Sequence, residues 1–325
     1  MPRLGLALVL AAGLSPSAFA AEAIEIAAEP LTLFADADRG AALPRLGRLS
    51  FLAGFALESP DSRFGGLSGM VVEADGSRLL AVSDSGWWIE IALAHDQAGR
   101  LSAIGQGRIA PMLDEAGQQP RRKVDADAEA LTRGDHGNLM VAFEQRHRVM
   151  AFRADPDRLA GKAAPVALIP ALDAGHRNRG IEALAALDSG ALLAVSQGLA
   201  RADGLAAWII AGSETRELVY PFDGAFEPSD LTGLADGRLV ALERAFSMFS
   251  GFRARLMLVE GVAPGQTRLT LTEIGRIEAP MLTENFEALG ARLGPGGEVL
   301  FYLVSDDNHN PLQRTLLLQF ALPDK

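Results

Sequence analysis

The chain of 325 residues contains no cysteine. Disulfides, thiolate nucleophiles and a lipid-modified N-terminal cysteine are therefore excluded, and stability must come from burial alone. Familiar catalytic signatures are missing too. There is no Walker loop and no H-E-x-x-H, and "GGLSGM" at Gly65 lacks the spacing of a G-x-S-x-G elbow. The five histidines are scattered singly. His147, His176 and His309 lie beside hairpin ends, where a lone imidazole reads as a hydrogen-bonded loop residue rather than a ligand or base. Positive charge is in short supply: 30 Lys and Arg stand against 41 Asp and Glu, a formal net charge of -11. That balance argues against nucleic acid and anionic lipid as partners and favours small cations or cationic ligands.

Long apolar runs are also lacking after the N-terminus. No later stretch reaches the roughly 18 uncharged apolar residues of a spanning helix, so no membrane insertion is expected. At the start, Arg3 is followed by an apolar run over residues 4–14 and then by Ala18-Phe19-Ala20. This pattern predicts a secretory signal over residues 1–20, cleaved after Ala20, and an exported protein, periplasmic or secreted. Residues 21–325 are expected to form one domain.

What is present is a repeat. Five segments follow one template: "GGLSGMVVEADGSRLLAVSDS" from Gly65, "AEALTRGDHGNLMVAFEQ" from Ala128, "IEALAALDSGALLAVSQ" from Ile181, "SDLTGLADGRLVALER" from Ser229 and "FEALGARLGPGGEVLFYLVSDD" from Phe286. Each runs from a small or acidic residue through a leucine (67, 131, 184, 231, 289), a strand, a glycine-containing turn and a second apolar strand to a polar tip. Asp75-Gly76, Asp188-Ser189-Gly190 and Asp236-Gly237 supply the positive-φ chemistry of tight hairpins. Further strand-like runs lie between copies, such as "WWIEIAL", "HRVMAF", "AAWIIAG" and "ARLMLVE".

Units of about four strands repeated in this way predict an all-β fold, a β-propeller of five or six four-stranded blades. The N-terminal "LTLFAD" and "GRLSFLAGFAL" are expected to complete the unit begun by "TLLLQF" and close the ring. A two-sheet β-sandwich is the alternative.

In a hairpin, the residue entering the first strand and the residue leaving the second lie at the same end. The template places acids at both: Glu129, Glu182, Asp230 and Glu287 entering, and Asp84, Glu144, Glu243 and Asp306 leaving. Copy one has Gly65 at the first position, and copy three has Gln197 at the second. On blades these eight acids gather at one mouth of the channel as a candidate metal site. Converging carboxylates repel one another unless cations intervene, and hard oxygen donors suit Ca²⁺. Arginines accompany them at 146, 177, 179, 244 and 314. Their planar forks suit a phosphate or carboxylate, or ion pairs between blades. The dense polar stretch "SDDNHNPLQRTLLLQF" reads as the last blade's contribution to this mouth, with Asn308 and Asn310 joining Arg146 and Arg179 as substrate-binding candidates.

Together "GGLSGM", "DAEAL", "GIEALAAL", "PSDLTGLADGRLVALERAFS", "NFEALG" and above all "SDDNHNPLQRTLLLQF" resemble the phytase-like domain family, named for esterase-like activity of phytase, over about residues 49–320. The resemblance implies an exported β-propeller related to calcium-dependent propeller phytases, which use bridging Ca²⁺ to hold substrate phosphate and activate water. Gln197 stands where that pattern leads one to expect an acid. Two readings follow. In the first, the chain is a Ca²⁺-dependent hydrolase of a small phosphoester, or of a lactone-like carboxylic ester, with Glu182, Asp306, Arg244 and Arg314 in the chemistry. In the second, it is a non-catalytic ligand- or protein-binding propeller of the envelope.

Overall fold

A computed structural model describes residues 19–168 and 180–323. Twenty-two strands form five antiparallel sheets arranged as the blades of a propeller. The inner strands are Leu67–Val72, Ala128–Arg133, Ile181–Ala186, Glu227–Gly233 and Phe286–Leu293, one for each of blades 1 to 5, and each packs beside the next around the axis. Blades 2, 3 and 4 have four strands each, whereas blades 1 and 5 have five.

Blade 5 closes the ring. Its inner three strands come from the C-terminal part of the chain, and Ser50–Glu58 pairs with Thr315–Leu322 while Ala27–Pro30 forms the edge. Strands from the N-terminal and C-terminal parts of the chain thus meet in one blade. "LTLFAD" is not a strand: the chain leaves the sheet after Pro30, and Leu31 N–H donates to Gly54 O at 3.0 Å.

The core consists of five hydrophobic clusters, one at each interface between neighbouring blades. Alternation along a strand serves both neighbours. Val82 faces blade 2, for example, while Ala81 faces blade 5. Strands buried on both faces read as continuous apolar runs, as in "VLFYLVS", where every residue is buried. Close to the axis the side chains must be small. A Cβ at Gly69 of blade 1 would lie 2.6 Å from Leu131 N of blade 2. Among the described residues no helix is long and apolar enough to cross a membrane.

Candidate functional site

Each inner strand begins with a β-bulge, and the five bulges align the repeats residue by residue. The register breaks fall between Leu67 and Gly69, Ala128 and Ala130, Ile181 and Ala183, Pro228 and Asp230, and Phe286 and Ala288. The extra residues are Ser68, Glu129, Glu182, Ser229 and Glu287. A bulge re-aims its residue out of the ladder, here at the same height in each blade. One turn of chain away lies a second ring, the residue following each second-strand partner: Asp84, Glu144, Gln197, Arg244 and Asp306. Four of its backbone N–H groups (those of residues 84, 144, 197 and 306) donate to carbonyls of a third ring, Gly66, Asp127, Gly180 and Asn285. Glu227, paired with Arg244, is the blade 4 member.

This register corrects two of the predicted ligands. In blade 4 the ring positions are Ser229 and Arg244, so Asp230 and Glu243 are each displaced by one residue. A one-residue offset sends a strand side chain to the opposite face. Asp230 is fully buried and accepts the backbone N–H groups of Leu231 at 2.7 Å and Leu289 at 2.6 Å, tying blade 4 to blade 5. Glu243 accepts the Tyr220 hydroxyl at 2.7 Å and pairs with Arg255 on the side facing blade 3. In blade 1 the residue equivalent to the template leucines is Met70, and the leading ring position is Ser68 rather than Gly65.

The other six predicted acids, Asp84, Glu129, Glu144, Glu182, Glu287 and Asp306, do converge. Burial, followed by Glu182, Glu287, Asp127 and Glu144, pushes the Glu129 carboxyl well above its ordinary range. Glu182 is raised well above its range by burial and then by Glu144 and Glu287, against the pull of Arg244. It shares a hydrogen bond with Glu144. Burial also raises Glu144, which accepts Gly180 N–H at 3.2 Å. Asp306 is pushed up to about 8, by burial first and then by Glu287, Asp84 and Asp307.

Several residues that sequence reasoning passed over belong here. Asp127 is 2% exposed and accepts Gln145 Nε2 at 2.5 Å. Lys123, on the short helix Lys123–Ala126, reaches both Asp84 and Asp127, the latter at 3.3 Å. Asn285 accepts Arg244 Nη1 at 2.7 Å and donates to Glu287 Oε1 at 2.8 Å. The "DADAEAL" run held the signal for Asp127, two residues ahead of Glu129.

The remaining substrate candidates disperse. Arg146 pairs with Asp125 at 2.6 Å and is mostly exposed. Arg314 is half exposed and stands 3.9 Å from Glu284. Asn308 donates to Gln313 Oε1, and Asn310 accepts Leu312 N–H, so these amides cap their own loop. Asp307 holds the same loop to blade 1 by accepting Gly66 N–H at 3.1 Å. Arg177, Arg179 and His176 lie outside the described residues.

Asp127, Glu129 and Glu144 each present an oxygen, and the three oxygens lie within 4.8 Å of one another. Ca²⁺ binds oxygens at about 2.4 Å, so opposite ligands stand roughly 4.8 Å apart, and this donor set fits such an ion. The fit draws on hard carboxylate oxygens alone, as a group of this size and charge requires.

A family model, Phytase-like, described as esterase-like activity of phytase, matches residues 62–309, and the chain belongs to that family. No curated protein matches the sequence. Among solved structures, the chain is similar to one assigned as a gluconolactonase at 14% identity, with 95% of this chain and 96% of that one covered and a TM-score of 0.41. It is also similar to the PQQ-bound aldose sugar dehydrogenase of Streptomyces coelicolor at 12% identity, with 86% and 99% covered and a TM-score of 0.44. A third is virginiamycin B lyase from Staphylococcus aureus at 9% identity, with 92% and 100% covered and a TM-score of 0.41. Such distant likenesses carry no argument about chemistry, and the five-bladed architecture rests on the strand order of this chain.

Proposed function

We propose that this phytase-like propeller is an exported, Ca²⁺-dependent hydrolase acting on a small phosphoester or carboxylic ester at the acidic mouth of its channel. The observation that carries the reading is the convergence of Asp127, Glu129 and Glu144 oxygens within 4.8 Å. Asp127, Glu129 and Glu144 would hold the ion, which supplies charge neutralisation and polarises the bond under attack. Glu182, hydrogen-bonded to Glu144 and with its carboxyl raised by burial and by its acidic neighbours, would pass a proton to a leaving oxygen and take one back. Arg244, held by Asn285 and Glu287, turns a fixed cation toward the same space. Convergent acids with Arg244 beside them support a catalytic mouth over a binding surface of splayed, individually paired acids. They also keep the lactone-like ester beside the phosphoester as substrate class.

The test is the melting temperature of the chelator-treated protein on adding CaCl₂. Binding to the folded state alone stabilises it by about 2.7 kcal/mol at a hundredfold excess over Kd. A clear rise, followed by turnover in a screen of phosphate monoesters and lactones, supports the proposal. No shift with any divalent ion refutes it. Export is checked separately by the N-terminal residue of the protein recovered from the periplasm or medium, expected to be Ala21.

A further inference from the structure

The mouth is not acidic all round. In the ring formed by Asp84, Glu144, Gln197, Arg244 and Asp306, blades 1, 2 and 5 contribute carboxylates, whereas blades 3 and 4 contribute an amide and a guanidinium. Gln197 is 8% exposed, and its buried Nε2 donates to nothing among the described residues. On the neighbouring blade, Arg244 Nε is likewise buried and without an acceptor among the described residues, although its other nitrogens engage Asn285 and Glu287. Buried donors are nearly always satisfied, because leaving one unpaired forfeits its hydration. Two at adjacent ring positions point to an acceptor that arrives with a ligand.

Space for a ligand is present beside Gln197. A cleft of about 760 Å³ is lined by Gln197, Gly198, Arg201, Phe222, Glu227 and Arg268 among others, so it runs between blades 3 and 4 and meets the mouth at Gln197 and Glu227. An acid at position 197 would close this side to anions by repulsion. The amide keeps the same size and offers N–H donors instead.

We propose that Gln197 and Arg244 form an oxyanion subsite that takes an anionic oxygen of the substrate, phosphoryl or carboxylate, opposite the acids of blade 2. This rests on the ester-hydrolase reading above and deepens it: the substrate carries its negative charge toward blades 3 and 4. Gln197 is then a specificity-determining residue rather than a gap in the ring of acids.

The test uses the whole protein and two probes, sodium phosphate kept below calcium phosphate saturation and sodium acetate, each added with and without CaCl₂. Melting temperatures are compared for wild type, Gln197→Leu and Gln197→Glu. Wild type is expected to be stabilised further by at least one oxyanion, and the stronger probe identifies the phosphoryl or the carboxylate class. Gln197→Leu should weaken oxyanion binding roughly tenfold or more, as expected for losing a hydrogen bond to a charged group, and leave the CaCl₂ shift unchanged. Gln197→Glu should abolish oxyanion binding and tighten Ca²⁺ binding, a pair of opposite changes that a merely structural role would not produce. An oxyanion shift absent from wild type, or equal in all three proteins, overturns the subsite even where the CaCl₂ shift persists. If CaCl₂ has no effect but phosphate or acetate stabilises wild type and not Gln197→Leu, the subsite stands and the cation reading falls.

Discussion

The two ends of the channel are built from the same five inner strands and settle their charges differently. At the far end Glu73 pairs with Arg133 at 2.8 Å, and Arg292 Nε donates to the buried Tyr302 hydroxyl at 2.9 Å, which His95 and Gln319 also engage. Asp135 of blade 2 lies against the turn at Gly190 of blade 3, where φ is 80° and a Cβ would come within 2.2 Å of its carboxylate. Charge there is spent on joining blades. At the near end Glu129, Glu144, Glu182 and Asp306 are crowded together and raised above their ordinary ranges, while Arg244 and Lys123 are the cations among them within the described residues. Acids at the far end are paired within the protein, whereas several at the near end stand in mutual repulsion.

The sharpest way to break this contrast is pH. A carboxyl whose folded pKa exceeds its unfolded value favours the protonated folded state. Its contribution is full below the unfolded pKa, near 4, and is lost as pH rises through the folded value, about 8 for Asp306. In chelator, stability should therefore fall between about pH 4 and pH 8, at about 1.4 kcal/mol for each unit separating the two pKa values, and CaCl₂ should flatten the profile. Thermal melts across that range, with and without the ion, check both statements. A flat profile in chelator would mean that the near-end acids are already compensated.

Glu129→Gln tests the near end directly. It removes one ligand and one of the mutually repelling carboxyls, so Ca²⁺ affinity should fall at least about tenfold, or 1.4 kcal/mol, while the chelated protein melts higher. Calorimetry and melting curves read the two effects independently. Asp230→Ala should do the reverse. It leaves the Leu231 and Leu289 N–H groups buried without an acceptor, at about 1–3 kcal/mol each, with Ca²⁺ binding unchanged. Equal loss of Ca²⁺ binding in both variants would return Asp230 to the mouth. The smallest effect belongs to the far end: Arg133→Ala breaks a partly exposed pair and should cost no more than about 1 kcal/mol, with no change at the near end.

Much of the architecture was legible. The five template segments are the inner two strands of the five blades, and "WWIEIAL", "HRVMAF", "AAWIIAG" and "ARLMLVE" lie on the third strands. Six of the eight proposed ligands sit in the mouth because hairpin geometry alone brings strand starts and strand ends together. The two that do not, Asp230 and Glu243, lie in blade 4, where "PSDLTG" offers an acid one residue past the bulge and "LER" offers one a residue before the ring. Strand alternation makes that single step decisive, and a bulge leaves no mark in the letters. The loop 305–314 misled for another reason. Its Asp and Asn residues satisfy their own backbone, with Asn308 and His309 at positive φ, a local use that composition cannot separate from ligand binding.

By itself the sequence determined the all-β repeat, the reliance on burial without cross-links, the acidic balance and the family, because hydrophobic runs and turn chemistry are local properties that each blade carries within itself. Only the tertiary structure decided that the blades number five, that Asp127 and Lys123 join the mouth, and that Gln197 and Arg244 share a ring with acids while each keeps a buried donor unpaired among the described residues. Those outcomes depend on the register between strands and the packing between blades, where a shift of one residue changes which side of the sheet a charge occupies.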